Sequence, residues 1–445
     1  MQTIHRPSLG AIRGYQLEYI YMKILLYGIN FAPELTGIGK YTGELAAWLA
    51  ARGHDVRFVT APPYYPAWAV SHGYSARAYR TEVWQGATVF RCPLWVPRQA
   101  GGAKRLLHLG TFAVSSLPVL LAQVLWRPQL VWVVEPALFC APAAWGMARL
   151  CGAKAWLHVQ DFEVDAAFGL GLLKGQRIHN AVAAVERWLM RRFDVVSTIS
   201  QRMHQRLLAK GVDAAKAKLM VNWVDMTQFA MPSPDGVEAY KSELNISPDV
   251  AVALYSGNMG DKQGLDILAK VARLCLVETT PAIVFVFCGN GSGRANLVTM
   301  CQGLPNVRFI DLQPTERLAD LLGTATIHLL PQRADAADLV MPSKLTGMLA
   351  SARPVVATAH PGTELANLVQ YCGLVVPPDD AGAMADAVLA LAADPALCER
   401  LGAAGFLYAQ AHLDKEAVLQ QFEADMLELA PLLETRSTYS AEHRR

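Results

Sequence analysis

The sequence lacks the cysteine and histidine patterns that build disulfide frameworks or metal centres. Its eight cysteines are scattered along 445 residues without a CxxC pair, and no histidines cluster at the spacing of metal ligands. We therefore expect a reducing compartment, with cysteine serving as a small buried side chain. No DxD motif follows a predicted strand, so the sequence predicts chemistry that uses no metal ion.

Charged residues are also sparse, at 18% of the chain, whereas 53% of the residues are hydrophobic. This composition excludes a disordered protein. The charge is unevenly divided: residues 1–215 carry 23 Lys and Arg against 12 Asp and Glu, and residues 216–445 carry 17 against 26. A basic first half favours an anionic partner, such as a membrane surface or a phosphate, although two solvated surfaces would give the same counts. Nothing indicates a nucleic-acid partner.

No signal peptide is evident at the start of the chain. Residues 1–21 lack an apolar core followed by a small-residue cleavage site, and Met22 stands directly before the first strand-like run. We interpret residues 1–21 as an extension outside the fold.

One segment needs comparison with a membrane span. Residues 109–126 carry no charge, but Pro118 and several polar residues interrupt them. We expect a buried or interfacial helix whose flanking Lys104, Arg105 and Arg127 lie near lipid headgroups. This predicts a cytoplasmic protein that is peripheral on the inner face of the plasma membrane.

Short apolar runs alternate with helical patterns in both halves, which is typical of parallel βαβ units. The predicted strands are 23–29, 55–60, 130–134, 154–159 and 194–199 in the first half, and 251–257, 283–288, 307–310, 325–330, 354–358 and 373–376 in the second. The pattern predicts an α/β protein with two Rossmann-like, doubly wound parallel sheets that face each other across a cleft.

The domain boundaries follow Pro- and Gly-rich punctuation. We predict an N-terminal acceptor-binding domain (22–225), a linker (226–244), a C-terminal nucleotide-sugar-binding domain (245–412), a helix that returns to the first domain (413–433) and a tail (434–445). Because ligands bind beyond the carboxyl ends of the strands in such sheets, site residues should follow the apolar runs directly.

Two motifs follow strands of the first half. Gly37 and Gly39 would let backbone amides receive a phosphate at a helix N-terminus, although a simple glycine turn is the alternative. Their spacing is not the dinucleotide fingerprint, which disfavours a nicotinamide-dependent dehydrogenase. Asp161 follows the run 154–159, where it could orient or deprotonate an acceptor hydroxyl; a carboxylate after a strand is also a common helix cap.

The second half repeats glycine turns and cations after its strands, an arrangement that suits a diphosphate. The candidate donor-binding residues are Gly257, Asn258 and Lys262, then Gly289 and Gly291, then Ser343 and Lys344 at a helix start, and finally Gly362, Thr363 and Glu364. Lysine beside a flexible backbone would neutralise charge on a leaving group. For Ser343 and Lys344, a helix cap followed by a solvated lysine is the alternative.

Taken in order, these motifs resemble those of the retaining glycosyltransferases of family GT4, which have the GT-B fold. The resemblance covers residues 22–430 and is carried by GIGKYTGELAAWLAARGHDV (37–56), NWVD (222–225), SGNMGDKQGLD (256–266), CGNGSG (288–293), PSKLTGMLASARPVVAT (342–358) and GTELA (362–366). It implies that Gly37 and Gly39 face the donor phosphates, that Lys262 binds the diphosphate, and that residues 362–364 lie near the donor sugar.

Within this family the chain looks most like the colanic acid biosynthesis enzymes. That resemblance implies transfer of fucose from GDP-fucose to a polyprenyl-diphosphate-linked saccharide, with the nucleotide-sugar as co-substrate and no further cofactor. Lys262, with Ser343 and Lys344, would counter the diphosphate. Catalysis would be electrostatic and positional, so Asp161 would orient the acceptor more than act as an essential base.

One departure leaves the reaction open. The family's E-x7-E glutamates, which hold the donor sugar and the nucleotide ribose, correspond here to Leu339 and Gly347. Another residue, such as Glu364 or Asp338, could take over, donor binding could differ, or catalysis could be lost. Two alternatives therefore remain: a nucleotide-sugar epimerase of the same fold, and a non-catalytic nucleotide-sugar- or lipid-binding subunit of a polysaccharide assembly complex.

Overall fold

The computed structural model describes residues 21–35, 37–97, 102–134, 137–162, 176–229, 233–260, 263–277, 283–334 and 342–429. Within these residues the chain forms two α/β domains, each built on its own sheet. This agrees with the fold class predicted from the alternating apolar runs.

The N-terminal domain contains eight strands and five helices in the described residues. The strands are β1 (Lys23–Tyr27), β2 (Asp55–Thr60), β3 (Arg80–Trp84), β4 (Ala87–Arg91), β5 (Leu130–Val134), β6 (Lys154–Val159), β7 (Val195–Thr198) and β8 (Ala217–Leu219). The helices are α1 (Ile38–Ala51), α2 (Gly102–Ala122), α3 (Ala137–Cys151), α4 (Gln176–Met190) and α5 (Gln201–Ala209). The sheet order is β3-β4-β2-β1-β5-β6-β7-β8, and every pair is parallel except β3 with β4.

The C-terminal domain begins with two short helices, α6 (Met226–Phe229) and α7 (Pro234–Glu243). Its strands are β9 (Ala251–Ser256), β10 (Ile283–Cys288), β11 (Val307–Ile310), β12 (Ile327–Leu330), β13 (Val355–Thr358) and β14 (Gly373–Val376). Its further helices are α8 (Asp266–Val277), α9 (Arg294–Met300), α10 (Leu318–Thr324), α11 (Lys344–Ala350), α12 (Glu364–Cys372), α13 (Ala381–Ala393) and α14 (Pro395–His412), with a 3-10 turn at Thr315–Arg317. The all-parallel sheet has the order β11-β10-β9-β12-β13-β14.

The central strands are hydrophobic because helices cover both faces of each sheet. Along β1, Leu25 and Tyr27 belong to one core, whereas Ile24 and Leu26 belong to the core on the opposite face. All five residues of β5 are buried. These apolar runs are the signal that located most of the strands in the sequence.

Three strands escaped the sequence prediction. β3 and β4 form an antiparallel hairpin whose turn residues, Gln85 and Gly86, both have positive φ (44° and 89°). Such two-residue turns usually carry Asn-Gly or Asp-Gly, so Gln85 gave no signal. β8 has three residues, of which one is buried, and is too short for an apolar pattern.

The segment predicted as a linker is folded instead. Phe229 in α6 and Tyr240 in α7 are buried and belong to a hydrophobic core of the C-terminal domain. Ser233 caps α7 by accepting a hydrogen bond from the backbone N of Gly236. Pro234 therefore stands at the first position of a helix, where proline is favoured.

The last described helix, α15 (Lys415–Leu429), packs on the N-terminal domain. Its Phe422 ring lies 4.8 Å from that of Trp156, measured between centroids. On the same helix Glu423 accepts hydrogen bonds from Arg52 Nη2 at 2.6 Å and Nε at 3.1 Å. The chain thus crosses between the domains twice, and the two crossings pair: Val224 N donates to Leu413 O at 2.8 Å, and Lys415 N donates to Val224 O at 3.0 Å.

This packing makes Phe422 a stability determinant of the N-terminal domain. Phe422→Ala removes a fully buried aromatic side chain, and we expect it to lower the free energy of unfolding by about 3–5 kcal/mol. Urea denaturation followed by tryptophan fluorescence measures this, because Trp132 and Trp156 lie in the same cluster. Glu428→Ala, an exposed change on the same helix, should stay within about 0.5 kcal/mol of the wild type. Equal effects of the two substitutions would contradict the packing of α15.

Candidate functional site

The carboxyl ends of the two sheets approach each other across a cleft, and several polar contacts bridge it. Asn258, after β9, donates from Nδ2 to Tyr65 Oη, after β2, at 2.8 Å. Glu364, at the start of α12, accepts from the backbone N of Gln201 and of Arg202, both at 2.9 Å. The candidate residues after the strands therefore lie along one interdomain surface.

Two glycine turns of the C-terminal domain are packed backbone against backbone. Gly257 N donates to Cys288 O and Met259 N to Asn290 O, each at 2.9 Å. A Cβ on Gly289 would lie 1.9 Å from Gly257 O, and one on Gly291 would lie 2.5 Å from Met259 O. Glycine is required at both positions because neither could hold a side chain without separating the turns.

The Lys344 side chain lies behind the first of these turns. Its Nζ donates to Tyr255 Oη at 2.6 Å, and the Tyr255 hydroxyl donates to Asn258 O at 2.6 Å. A Cβ on Gly257 would be 3.4 Å from Lys344 Cε. Burial lowers the pKa of Lys344 to about 7, and none of the described carboxylates forms an ion pair with it. An anionic ligand beside the turns would favour the charged form of this lysine.

The helix that Lys344 begins, α11, clarifies two neighbouring positions. The Ser343 side chain makes no capping hydrogen bond, so the helix-cap alternative does not describe it. At Gly347, where the family has its second glutamate, a Cβ would lie 3.1 Å from Leu322 Cδ1. A side chain at 347 would start toward α10 within the domain, so glycine here serves the packing of α11 against α10.

Gly37 and Gly39 have structural roles that the sequence did not indicate. Gly37 precedes α1 with φ of 64°, and its hypothetical Cβ would contact the Tyr65 ring at 3.6 Å. A Cβ on Gly39 would lie 2.5 Å from Glu34 Oε2. Glycine at position 39 is therefore required by a neighbouring carboxylate, and a role of its backbone toward a donor phosphate stays a prediction.

That carboxylate organises the loop after β2. Glu34 Oε1 accepts from the backbone N of Tyr64 and of Tyr65, both at 3.0 Å, and Oε2 accepts from Asn30 Nδ2 at 2.9 Å. Burial raises the pKa of Glu34 to about 7, although the Tyr64 and Tyr65 amides act in the opposite direction. Glu34 thereby fixes Tyr65, whose hydroxyl reaches the turn of the C-terminal domain.

Asp161 lies two residues after β6 and is half-buried. Beside it runs a polar network in which Gln160 and Asn222 exchange two side-chain hydrogen bonds, at 3.0 and 3.2 Å. His158 lies deeper, 2.8 Å from Ser197 Oγ, and burial lowers its pKa to about 3, so this imidazole is neutral. The network holds the end of β6 against the NWVD motif (222–225), where the chain first crosses between the domains.

The turn at residues 362–364 is used differently from the prediction. Thr363 Oγ1 accepts from Ala366 N and caps α12. The Glu364 carboxylate is directed at the first amides of α5, where the helix dipole favours negative charge. Glu364 is thus a contact between the domains.

The described residues bring together Gly257, Asn258, Gly289, Gly291 and Lys344, with Tyr65 closing the group from the other domain. Lys262, Leu339 and Asp338 lie outside the described residues. Within the part of the chain that the structure describes, no three His, Cys, Asp or Glu side chains are grouped to hold a metal ion. The sequence analysis did not identify Glu34, Tyr65 and Tyr255. Of these, only Glu34 offered a signal, because it is a charged residue in the loop that follows β1.

Comparison with known proteins supplies the family. The glycosyl transferase 4-like domain matches residues 36–223, and the glycosyl transferases group 1 domain matches residues 251–394. The putative colanic acid biosynthesis glycosyl transferase WcaI of Escherichia coli (strain K12) is 44% identical over 411 residues, which are 91% of this chain and all of that protein. The chain belongs to the GT4 family of glycosyltransferases.

Solved structures of other proteins share the fold. Sucrose-phosphate synthase from Thermosynechococcus elongatus superimposes with a TM-score of 0.71 at 19% identity, over 91% of this chain and 98% of that one. Anabaena HepE, in complex with UDP and glucose, gives a TM-score of 0.67 at 14% identity, over 92% and 100%. The GT-B fold expected from the motifs is confirmed.

The hydrogen bond from Asn258 to Tyr65 should couple the two domains of this glycosyltransferase. Tyr65→Phe removes the acceptor, and loss of about 1 kcal/mol should make the amides of residues 257–260 exchange hydrogen about fivefold faster. Asn258→Ala should have the same effect, and the double variant no larger one, because each removes the same bond. Hydrogen exchange with mass spectrometry measures this. Tyr371→Phe, an exposed tyrosine, is the control; additive effects of the first two variants would refute the coupling.

Proposed function

We propose that this GT4 glycosyltransferase moves a sugar from a nucleotide-sugar to a polyprenyl-diphosphate-linked saccharide, with retention, in the biosynthesis of a colanic-acid-like exopolysaccharide. The observation that carries the proposal is the half-buried Lys344, which lies behind two closely packed glycine turns. A lysine without a carboxylate partner among the described residues, beside the glycine turns that follow β9 and β10, suits a diphosphate when it is charged.

The relatives support a nucleotide-sugar donor. HepE is described in complex with UDP and with glucose, and its fold is the fold of this chain. The full-length likeness to WcaI, whose name refers to colanic acid biosynthesis, supports an exopolysaccharide product. From the colanic acid resemblance we propose GDP-fucose as the first donor to test, with UDP-sugars as the competing choice.

The proposed step is a displacement at the anomeric carbon of the donor. An acceptor hydroxyl oxygen forms a bond to the anomeric carbon while the bond between that carbon and the phosphate oxygen breaks. The new bond forms on the face of the sugar that the phosphate leaves. The departing phosphate takes the acceptor proton, so the nucleoside diphosphate leaves and no strong protein base is needed. Charged Lys344 would stabilise the phosphate, and Asp161 would orient the acceptor from the N-terminal domain.

A donor and acceptor screen tests the proposal. GDP-, UDP- and dTDP-sugars are first compared by thermal shift, because a ligand of the native state raises the melting temperature. The stabilising donor, labelled in its sugar, is then incubated with undecaprenyl-diphosphate-glucose. We expect label in the lipid fraction and release of the nucleoside diphosphate. Conversion of the nucleotide-sugar without acceptor would indicate an epimerase instead, and binding without transfer to any lipid acceptor would indicate a non-catalytic subunit.

The pKa of Lys344 predicts how donor affinity depends on pH. Below a pKa of about 7 the lysine is already charged, so affinity is at its full value; above it each binding event must take up a proton. Affinity for a nucleotide-sugar should therefore fall by up to about tenfold per pH unit between about pH 7 and pH 9. Isothermal calorimetry in buffers of different ionisation enthalpy measures both the affinity and the proton uptake.

Lys344→Met should bind weakly with a flat pH profile. Lys270→Met, at an exposed lysine of α8, should keep the wild-type profile. A pH dependence that persists in Lys344→Met would show that Lys344 is not the group responsible.

A further inference from the structure

Helix α2 exposes an apolar surface where a soluble protein normally carries polar side chains. We define the α2 face by its exposed residues Leu106, Leu107, Val114, Leu117 and Leu121, together with Leu125 in the turn that follows. At 100° per residue the five helical positions fall within an arc of about 100°. Leu125 is 91% exposed and Val114 is 69% exposed. Residues 106–126 contain no Lys, Arg, Asp or Glu.

The opposite side of α2 is part of the domain core. Phe112 and Leu120 are fully buried, and Ser116 Oγ lies 2.7 Å from Tyr27 Oη of β1. The helix is long and apolar enough to cross a membrane, yet 28% of that stretch is buried against the protein. A helix attached to a sheet along one side can contact lipid only with its other side, so it lies along a membrane rather than across it.

Basic residues stand at both ends of the α2 face, and others are exposed on the neighbouring helices. Lys104 and Arg127 are exposed at its two ends. Arg149 and Leu150 are exposed at the end of α3, the helix that packs against α2. Further along, Arg192 lies 4.7 Å from the centre of the half-exposed Trp188 ring. We call Lys104, Arg127, Arg149 and Arg192 the basic rim.

We propose that the α2 face is a docking surface for an anionic lipid bilayer, with α2 parallel to the membrane plane and the basic rim at the headgroups. Exposed leucines bordered by arginines and a tryptophan match the apolar, anionic and interfacial layers of a bilayer surface. A second copy of the chain would need to place its own anionic groups against the rim. The N-terminal half has the opposite charge balance, which favours lipid over self-association through this face.

The orientation also directs the cleft at the membrane. The N-terminal part of α2 lies beside the loop after β2: the centre of the His108 ring is 4.7 Å from that of the Tyr64 ring, and burial raises the pKa of Tyr65 in that loop while the Arg105 guanidinium acts in the opposite direction. Tyr65 reaches Asn258 across the cleft. The end of the face at Leu106 and Leu107 therefore opens beside the site, where a lipid-linked acceptor could enter without leaving the bilayer. This last link rests on the proposed function; docking itself does not.

Flotation of the full chain with vesicles tests the docking surface. The probe is phosphatidylethanolamine vesicles with phosphatidylglycerol, without polyprenyl lipid, compared with vesicles of phosphatidylcholine alone. We expect the wild type to float with the anionic vesicles. Leu107→Gln/Leu121→Gln should reduce the partition coefficient at least about tenfold, because two leucines no longer enter the apolar layer. Arg127→Gln/Arg149→Gln should reduce it on anionic vesicles alone, by about fivefold per residue.

The matched control is Leu274→Gln/Leu407→Gln, which changes two similarly exposed leucines of the C-terminal domain. It should float like the wild type. Vesicle binding by Leu107→Gln/Leu121→Gln equal to that of this control overturns the proposal. A second outcome also overturns it: the wild type fails to bind vesicles and is a dimer without lipid, as measured by light scattering, and the α2 substitutions convert this dimer to a monomer. The face would then be a contact between two copies of the chain.

The same variant separates docking from the proposed function. Leu107→Gln/Leu121→Gln should keep the wild-type thermal shift with the donor nucleotide, because the α2 face contacts none of the glycine turns. Loss of vesicle binding with intact donor binding supports the surface whether or not transfer to a lipid acceptor is ever observed. Failure of transfer by a wild type that binds vesicles would count against the acceptor and leave the docking surface standing.

Discussion

The contact between the backbones of Gly257 and Gly289 determines the geometry of the donor side of the cleft. A Cβ on Gly289 would fall 1.9 Å from Gly257 O, so the turns after β9 and β10 meet at a separation that no other residue pair permits. The closeness forces the first turn to lie against the Lys344 side chain and directs Asn258 toward Tyr65. The packing of the two turns therefore determines where the polar and charged groups of the site lie.

The same constraint explains why the lysine is unusual. The turn, Tyr255 and the body of the domain enclose its ammonium group, and burial lowers its pKa to about 7. A neighbouring carboxylate would restore the charge permanently and occupy the place of an anionic ligand. Without such a partner, desolvation destabilises the charged form of the lysine until an anionic ligand binds beside it. Donor binding and protonation are then one event.

The sequence predicted the parallel strands well because burial on both faces leaves a continuous apolar run. The order of the glycine turns along the chain could be read from the sequence, but each glycine was explained only by the approach of a phosphate. Gly39 is glycine because of Glu34, Gly347 because of Leu322, and Gly289 because of Gly257. The residue that contacts each glycine is either distant in the chain or brought close by the direction of its side chain. Residue type and spacing alone give no information about such contacts. The contact of Glu364 with α5 was hidden from the sequence for the same reason, since its partner amides lie in the other domain.

The charge asymmetry of the chain acquires a physical meaning once α2 is placed. In the proposed docking, the α2 face and its basic rim would hold the basic domain at the bilayer. The acidic domain is joined to it by the paired crossings at Val224 and Leu413 and by Lys415, which lies 3.6 Å from both Glu44 and Asp225. An anionic bilayer would attract the basic domain and repel the acidic one. Movement of the cleft would then consist of the acidic domain approaching a fixed basic one. The contacts that close it, Asn258 to Tyr65 and Glu364 to α5, each join one moving group to one anchored group.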